Sequence, residues 1–187
     1  YTPDDLTFGV GNATREALTR GYGLSDEYSN GNGSLMRILP LAFTEAGPSD
    51  IEAVSSITHA HVTSVEACQL YVDIARRLLK GRQLSEILSC LETSTTYARL
   101  QTLAELTEDD IRSTGYVVDT LEAALWCLLT STSYPETVLK AVNLGDDTDT
   151  VAAVAGGLAG IIYGLEGIPD NWLAQLRNKE LLESCLF

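Results

Sequence analysis

The chain has 187 residues, 45% of them hydrophobic and 20% charged, with a formal net charge of -14. That length predicts one domain with a sizeable core. The negative charge repels nucleic acid and anionic membrane, and argues against both as partners. The four cysteines (Cys68, Cys90, Cys127 and Cys185) include no Cys-x-x-Cys pair, and three sit in apolar helical patterns. Buried free thiols in a reducing, cytoplasmic setting are therefore expected. No signal peptide or membrane span is visible.

In chain order, Thr2-Pro3-Asp4-Asp5 reads as a surface turn because of its proline. Asn12 to Arg20 suits a short helix capped by Asn12 and ended by Gly21, and Ser25 to Ser29 is a polar linker. In Ser29-Asn30-Gly31-Asn32-Gly33-Ser34 the alternating glycines free the backbone to aim successive N–H groups at an anion. An ordinary turn is the commoner use of such a stretch. The spacing is neither a Rossmann fingerprint nor a P-loop. Leu35 to Phe43 predicts a short helix whose N-terminus would favour a phosphate.

Helices then follow with start signals. Ser49 with Glu52, Thr63 with Glu66 and Ser133 with Glu136 all have capping-box spacing. Val62 to Lys80 carries Val65, Cys68, Val72, Ala75 and Leu79 on one stripe and stops at Gly81. Leu84 to Leu106 predicts one or two helices with Ile87, Leu91 and Leu100 inward. Tyr116 to Leu129 is strongly apolar, and Tyr134 to Leu144 begins with an early proline and ends at Gly145. No alternating strand of useful length appears, so the fold class is all-α. Thr58-His59-Ala60-His61 puts two histidines at i, i+2, which do not share a helix face, and no zinc spacing surrounds them. Capping or backbone hydrogen bonding is the expected use, with a ligand contact by one of them left open.

The most unusual stretch is Gly145-Asp146-Asp147-Thr148-Asp149-Thr150, followed by an uncharged run from Val151 to Leu165. That run falls short of the ~20 apolar residues a bilayer needs, so it predicts a buried central helix. Ala153, Gly157, Gly160 and Gly164 form a small-residue face and Val154, Leu158, Ile161 and Leu165 the packing face. Each helical glycine costs up to about 1 kcal/mol relative to alanine, which predicts close neighbours. One helix cap does not need three aspartates. Oxygen ligands from Asp and Thr suit a hard cation such as Mg2+ or Mn2+. A capped helix with a solvated acidic collar is the competing reading.

Asn30-Gly31-Asn32-Gly33-Ser34-Leu35-Met36-Arg37-Ile38-Leu39-Pro40, Thr58 to His61, Thr114-Gly115-Tyr116-Val117-Val118-Asp119-Thr120 to Leu125, and Gly145 to Thr150 with its glycine helix together resemble the ADP-ribosylglycohydrolase family. That family includes dinitrogenase-reductase-activating glycohydrolases and ADP-ribosylarginine hydrolases. The resemblance covers nearly the whole chain in the family's order. It implies a compact orthogonal multi-helix bundle around the buried glycine-rich helix. It also implies hydrolysis of the bond between ADP-ribose and an acceptor such as a protein side chain, at a binuclear Mg2+ or Mn2+ site. It assigns Asp147, Asp149 and Thr150 to the metal and Ser29, Gly31, Asn32, Gly33 and Ser34 to the ADP-ribose cradle. His59 matches a position near the diphosphate, and Gly115-Tyr116 a loop beside the adenine end.

The family's N-terminal Thr-Asp-Asp-Thr motif, which supplies further metal ligands, has no match here. The chain is therefore expected to be N-terminally incomplete as a single domain, with its catalytic group in the absent segment. Two functional expectations follow: a hydrolase carrying part of the metal site, and a catalytically inactive ADP-ribose or nucleotide-binding module. Self-association through an exposed apolar groove beside the glycine helix is expected as well.

Overall fold

The computed structural model describes residues 10–185. The turn expected at Thr2 to Asp5 lies outside them. Nine α-helices are described: α1 (Asn12–Arg20), α2 (Pro48–Ser56), α3 (Val62–Leu79), α4 (Leu84–Ser89), α5 (Val117–Leu129), α6 (Tyr134–Asn143), α7 (Thr148–Tyr163), α8 (Asp170–Gln175) and α9 (Lys179–Cys185). Short 3-10 turns join them, and no strand occurs among the described residues, only two isolated bridges. The all-α expectation holds.

The long helices divide the core between them. Eleven of the thirteen residues of α5 are buried, so this is the most enclosed helix, and it packs on α3, α6 and α7. Helix α7 buries Val151, Val154, Ala155, Gly156, Leu158 and Ala159 against α5 and α6. Its other side stays open: Ala153 and Ile162 are exposed, and Gly160 has no neighbour that a β-carbon would meet. Leu165, expected on the packing face, is exposed instead, because the helix ends at Tyr163 and Leu165 begins a 3-10 turn beyond it. The close approach predicted from the glycines is real at Gly157, where a β-carbon would lie 2.6 Å from Leu39 Cδ2 and 2.9 Å from the Tyr71 hydroxyl. That hydroxyl donates to the Val154 carbonyl at 2.8 Å. The bond ties α3 to α7 through a fully buried tyrosine.

Helix ends follow the sequence in part. Gly21 and Gly81 have φ of +77° and close α1 and α3, as only a residue without a β-carbon does easily. Ser133 caps α6 by accepting from the Glu136 amide, but Glu136 turns back to the Thr132 amide and hydroxyl rather than to Ser133. The other two capping-box expectations fail. Helix α2 starts two residues earlier than expected, at Pro48 with Gly47 as its cap, and the Gly47 amide is held by Asp50. Helix α3 is capped by His61, whose Nδ1 accepts from the Thr63 amide, while Glu66 bonds the amide and hydroxyl of Ser94. Asn12 already lies inside α1, with Gly11 at its cap. Spacing alone did not reveal that a neighbouring donor was the better partner.

The expected helix from Leu35 to Phe43 is two 3-10 turns, Leu35–Arg37 and Leu39–Phe43. Pro40 has no amide proton to extend a helix from Leu35. Leu84 to Leu106 resolves into α4 and a 3-10 segment, Thr95–Glu105, with Ile87, Leu91 and Leu100 buried as expected. Cys68 and Cys127 are buried, but Cys90 is exposed, because it follows the last turn of α4 rather than continuing its apolar face.

Candidate functional site

Three loops that are far apart in sequence meet at one end of the bundle. The glycine loop, residues 29–34, pairs with residues 113–117 through an isolated antiparallel bridge between Gly31 and Tyr116. The Asn32 amide donates to the Gly115 carbonyl and the Val117 amide to the Asn30 carbonyl, each at 3.0 Å. The acidic turn joins the second loop: the Asp147 amide donates to the Ser113 carbonyl at 3.0 Å, and the Ser113 hydroxyl to the Gly145 carbonyl at 3.1 Å. Helices α5 and α7 begin at this junction, so both N-termini face it.

The side chain of Asn32 locks the three together. Its Nδ2 donates to Asp147 Oδ2 at 2.6 Å and to Thr120 Oγ1 at 2.8 Å, and the Thr120 hydroxyl donates to the Thr114 carbonyl. Asp147 occupies the N-cap position of α7, yet makes no side-chain cap bond. Its carboxylate accepts from Asn32 through Oδ2 instead, which weakens the reading of the acidic turn as a mere helix cap.

Several predicted site residues face inward. Ser29 donates to Asp26, Asn32 is committed as described, and Ser34 is fully buried and accepts from the Cys68 thiol. These side chains brace the loop. What remains is its backbone: the N–H groups of Gly31, Gly33 and Ser34 have no acceptor among the described residues. Unpaired donors in one short loop suit an anion. The glycines serve this by size rather than by conformation, since neither Gly31 nor Gly33 has a positive φ. A β-carbon on residue 33 would lie 2.8 Å from His59 Cε1, and one on residue 31 would lie 3.5 Å from His59 Nε2.

His59 thus lies under the glycine loop and is only 2% exposed. Burial, and then the Arg37 charge, push its imidazole down to about 4, so it is neutral at physiological pH. Arg37 donates from Nη1 to the Gly33 carbonyl at 2.6 Å and from Nη2 to Thr58 Oγ1 at 2.7 Å. Its charge holds the loop from below. Tyr116 and Gly115 are exposed on the loop's other flank.

Asp149 is exposed at the first turn of α7, and Thr150 is buried with a hydroxyl that makes no hydrogen bond among the described residues. Asp147, Asp149 and Thr150 are thus hard oxygen donors with free capacity, which matches Mg2+ or Mn2+ in chemistry. In number they match only part of a shell, and no group of three or more His, Cys, Asp or Glu side chains gathers among the described residues. A cleft of about 940 Å³ lies elsewhere, bordered by Ile51, Val65, Leu70, Arg77, Cys90 and Leu91, and none of the predicted site residues lines it.

Sequence reasoning missed Thr120, Thr58 and Ser113. Thr120 left only a faint signal, a hydroxyl beside Asp119 in the first turn of a largely apolar helix, and the fold buries it fully. Thr58 stood in the Thr58 to His61 motif with nothing to mark its hydroxyl, and Ser113 left no signal, because their partners are set by the tertiary fold.

The sequence profile of the ADP-ribosylglycohydrolase family matches residues 1–186. The ADP-ribosylarginine hydrolase Tri1 of Pseudomonas putida (strain GB-1) is 38% identical over 185 residues, covering 90% of this chain and 50% of that protein. The ADP-ribosyl-[dinitrogen reductase] glycohydrolase of Rhodospirillum rubrum is 33% identical over 154 residues, covering 80% of this chain and 51% of that protein. A solved structure described as an ADP-ribosylglycohydrolase-related protein complex superposes with a TM-score of 0.78 at 33% identity, covering 93% of this chain and 66% of that one. The chain spans about half the length of the curated relatives it matches.

Proposed function

The chain belongs to the ADP-ribosylglycohydrolase family, and we propose that it takes part in hydrolysing the glycosidic bond between ADP-ribose and an acceptor, an ADP-ribosylated protein side chain. One observation carries this reading: the glycine loop, the Tyr116 loop and the acidic turn meet at a single junction, closed by the Asn32–Asp147 bond. The unpaired amides of Gly31 and Gly33, both partly exposed, receive the diphosphate, with Arg37 supplying positive charge from behind the loop. Gly115 and Tyr116 flank the adenine end. Asp147, Asp149 and Thr150 hold part of a Mg2+ or Mn2+ shell, which when bound adds Lewis-acid charge near the ribose. Asn32 fixes the rotamer of Asp147, so the carboxylate is oriented before any ligand arrives.

The catalytically inactive binding module is the second reading. The small number of acidic groups gathered among the described residues favours it. Free Cys68, Cys90 and Cys127 suit a reducing, cytoplasmic location. Exposed Leu139 and Val142 on α6 and Ile162 on α7, with Leu165 just beyond it, suit self-association, which light scattering reads directly. Among the described residues no helix is long and apolar enough to cross a membrane.

Thermal melting with ADP-ribose and with MgCl2 or MnCl2, added separately, tests the site, and an ADP-ribosylarginine assay tests the reaction. Stabilisation by ADP-ribose with turnover supports the hydrolase. Stabilisation without turnover supports the module. No response to ADP-ribose removes both.

A further inference from the structure

The hydrogen bonds beneath the glycine loop decide where the proton of His59 sits. Its Nδ1 lies 2.7 Å from Thr58 Oγ1, and the same oxygen accepts from Arg37 Nη2 at 2.7 Å. A guanidinium only donates. Thr58 has one hydroxyl proton, and Nδ1 is the acceptor within reach of it. If Nδ1 carried a proton instead, two donors would meet at one oxygen, and the hydroxyl proton would have no acceptor among the described residues. Nδ1 is therefore bare, and the ring proton is on Nε2.

The surrounding backbone holds this arrangement. The His59 amide donates to the Ser55 carbonyl at 2.9 Å, and the Ser55 hydroxyl donates to the His59 carbonyl at 3.0 Å. The Leu24 amide donates to the Thr58 carbonyl and the Ala60 amide to the Leu24 carbonyl, so the stretch is gripped on both sides. Nε2 faces Gly31 and Gly33 and has no hydrogen-bond partner among the described residues.

We propose that Thr58 is a positioning residue: accepting from Arg37, its hydroxyl keeps its proton and donates a hydrogen bond to Nδ1, and so holds neutral His59 as an Nε2–H donor turned toward the glycine loop. This deepens the reading of that loop as an oxyanion site and rests on it for the ligand, a phosphate oxygen. The depressed imidazole of His59 agrees with the neutral form. A neutral donor matches a phosphate oxygen through a hydrogen bond whose presence does not depend on protonating the ring.

Nitrogen chemical shifts of 15N-labelled histidine in the ligand-free chain at pH 7 decide the matter. There are two histidines, and His61→Asn, which keeps a capping side chain on α3, assigns them. The expected result is a bare, pyridine-like Nδ1 and a protonated, pyrrole-like Nε2 for His59. Thr58→Ser should keep that pattern. Thr58→Val, or Thr58→Ala should valine not fold, should lose it to a tautomer mixture and weaken ADP-ribose binding by the fraction of the Nε2–H form lost, about twofold for an even mixture. A protonated Nδ1 in the parent chain, or an unchanged pattern without the hydroxyl, overturns the proposal. Failure of ADP-ribose to bind the parent chain counts against the proposed function alone, since the shifts are read without ligand.

Discussion

Asn32 Nδ2 and Asp147 Oδ2 lie 2.6 Å apart although 115 positions separate them in the chain. A charge-assisted bond of this kind contributes roughly 1.5–3 kcal/mol when shielded from water. Here it also sets the direction of the carboxylate that leads the acidic turn.

Asn32→Ala should therefore cost about 1–3 kcal/mol, read by urea denaturation, and weaken Mn2+ binding read by calorimetry. The variant also removes the donation to Thr120 Oγ1, but Thr120 keeps its bond to the Thr114 carbonyl, so the loss of Mn2+ affinity reports on Asp147. If stability changes by less than about 0.5 kcal/mol, the range of ordinary surface substitutions, the bond is incidental.

The two loop glycines should respond differently. A β-carbon at residue 33 would press within 2.8 Å of His59 Cε1 and 3.3 Å of Thr14 Oγ1, whereas one at residue 31 meets His59 Nε2 at an ordinary 3.5 Å. Gly33→Ala should cost about 1–3 kcal/mol by overpacking. Gly31→Ala should leave the melting temperature nearly unchanged while reducing ADP-ribose affinity, because it narrows the loop's ligand face. Equal losses of stability in the two variants would contradict this.

Stability should fall with acidification through His59. Its imidazole titrates near 4 when folded, against a reference of 6.5. Between those values the unfolded chain binds the extra proton and the folded chain does not, so the contribution is full above pH 6.5 and drains away as pH falls towards 4. The total is about 3 kcal/mol. His59→Gln should flatten the dependence of unfolding free energy on pH between 6.5 and 5. Parallel curves for the two proteins would exclude His59 as the source.

The glycine helix offers a third contrast. Gly157→Ala drives a β-carbon against the Tyr71 hydroxyl, which is fixed by its bond to Val154, and against Leu39. It should destabilise by about 1–3 kcal/mol. Gly160→Ala meets nothing within 4 Å and should gain up to about 1 kcal/mol of helix propensity. The two melting temperatures should move in opposite directions.

The sequence by itself determined the helical class, the identity of the long helices and the motifs that mark the family. Apolar periodicity, glycine stops and oxygen-rich turns act over a few residues, so they can be read in the order they are written. Val65, Cys68, Val72 and Ala75 of the predicted α3 stripe show this, being buried as their spacing requires, whereas Leu79 at the last residue of the helix is exposed. Only the tertiary structure decided which polar groups pair. Glu66 has capping-box spacing to Thr63, yet it bonds Ser94 once the chain brings that residue alongside α3. Asp147 stands where a helix cap is expected, yet it is turned to Asn32. A hydrogen bond is decided by angstroms between atoms that folding brings together, and sequence separation carries no record of that distance. Even the need for Gly33 belongs to the fold, because its reason is the buried face of His59 rather than a turn of the backbone.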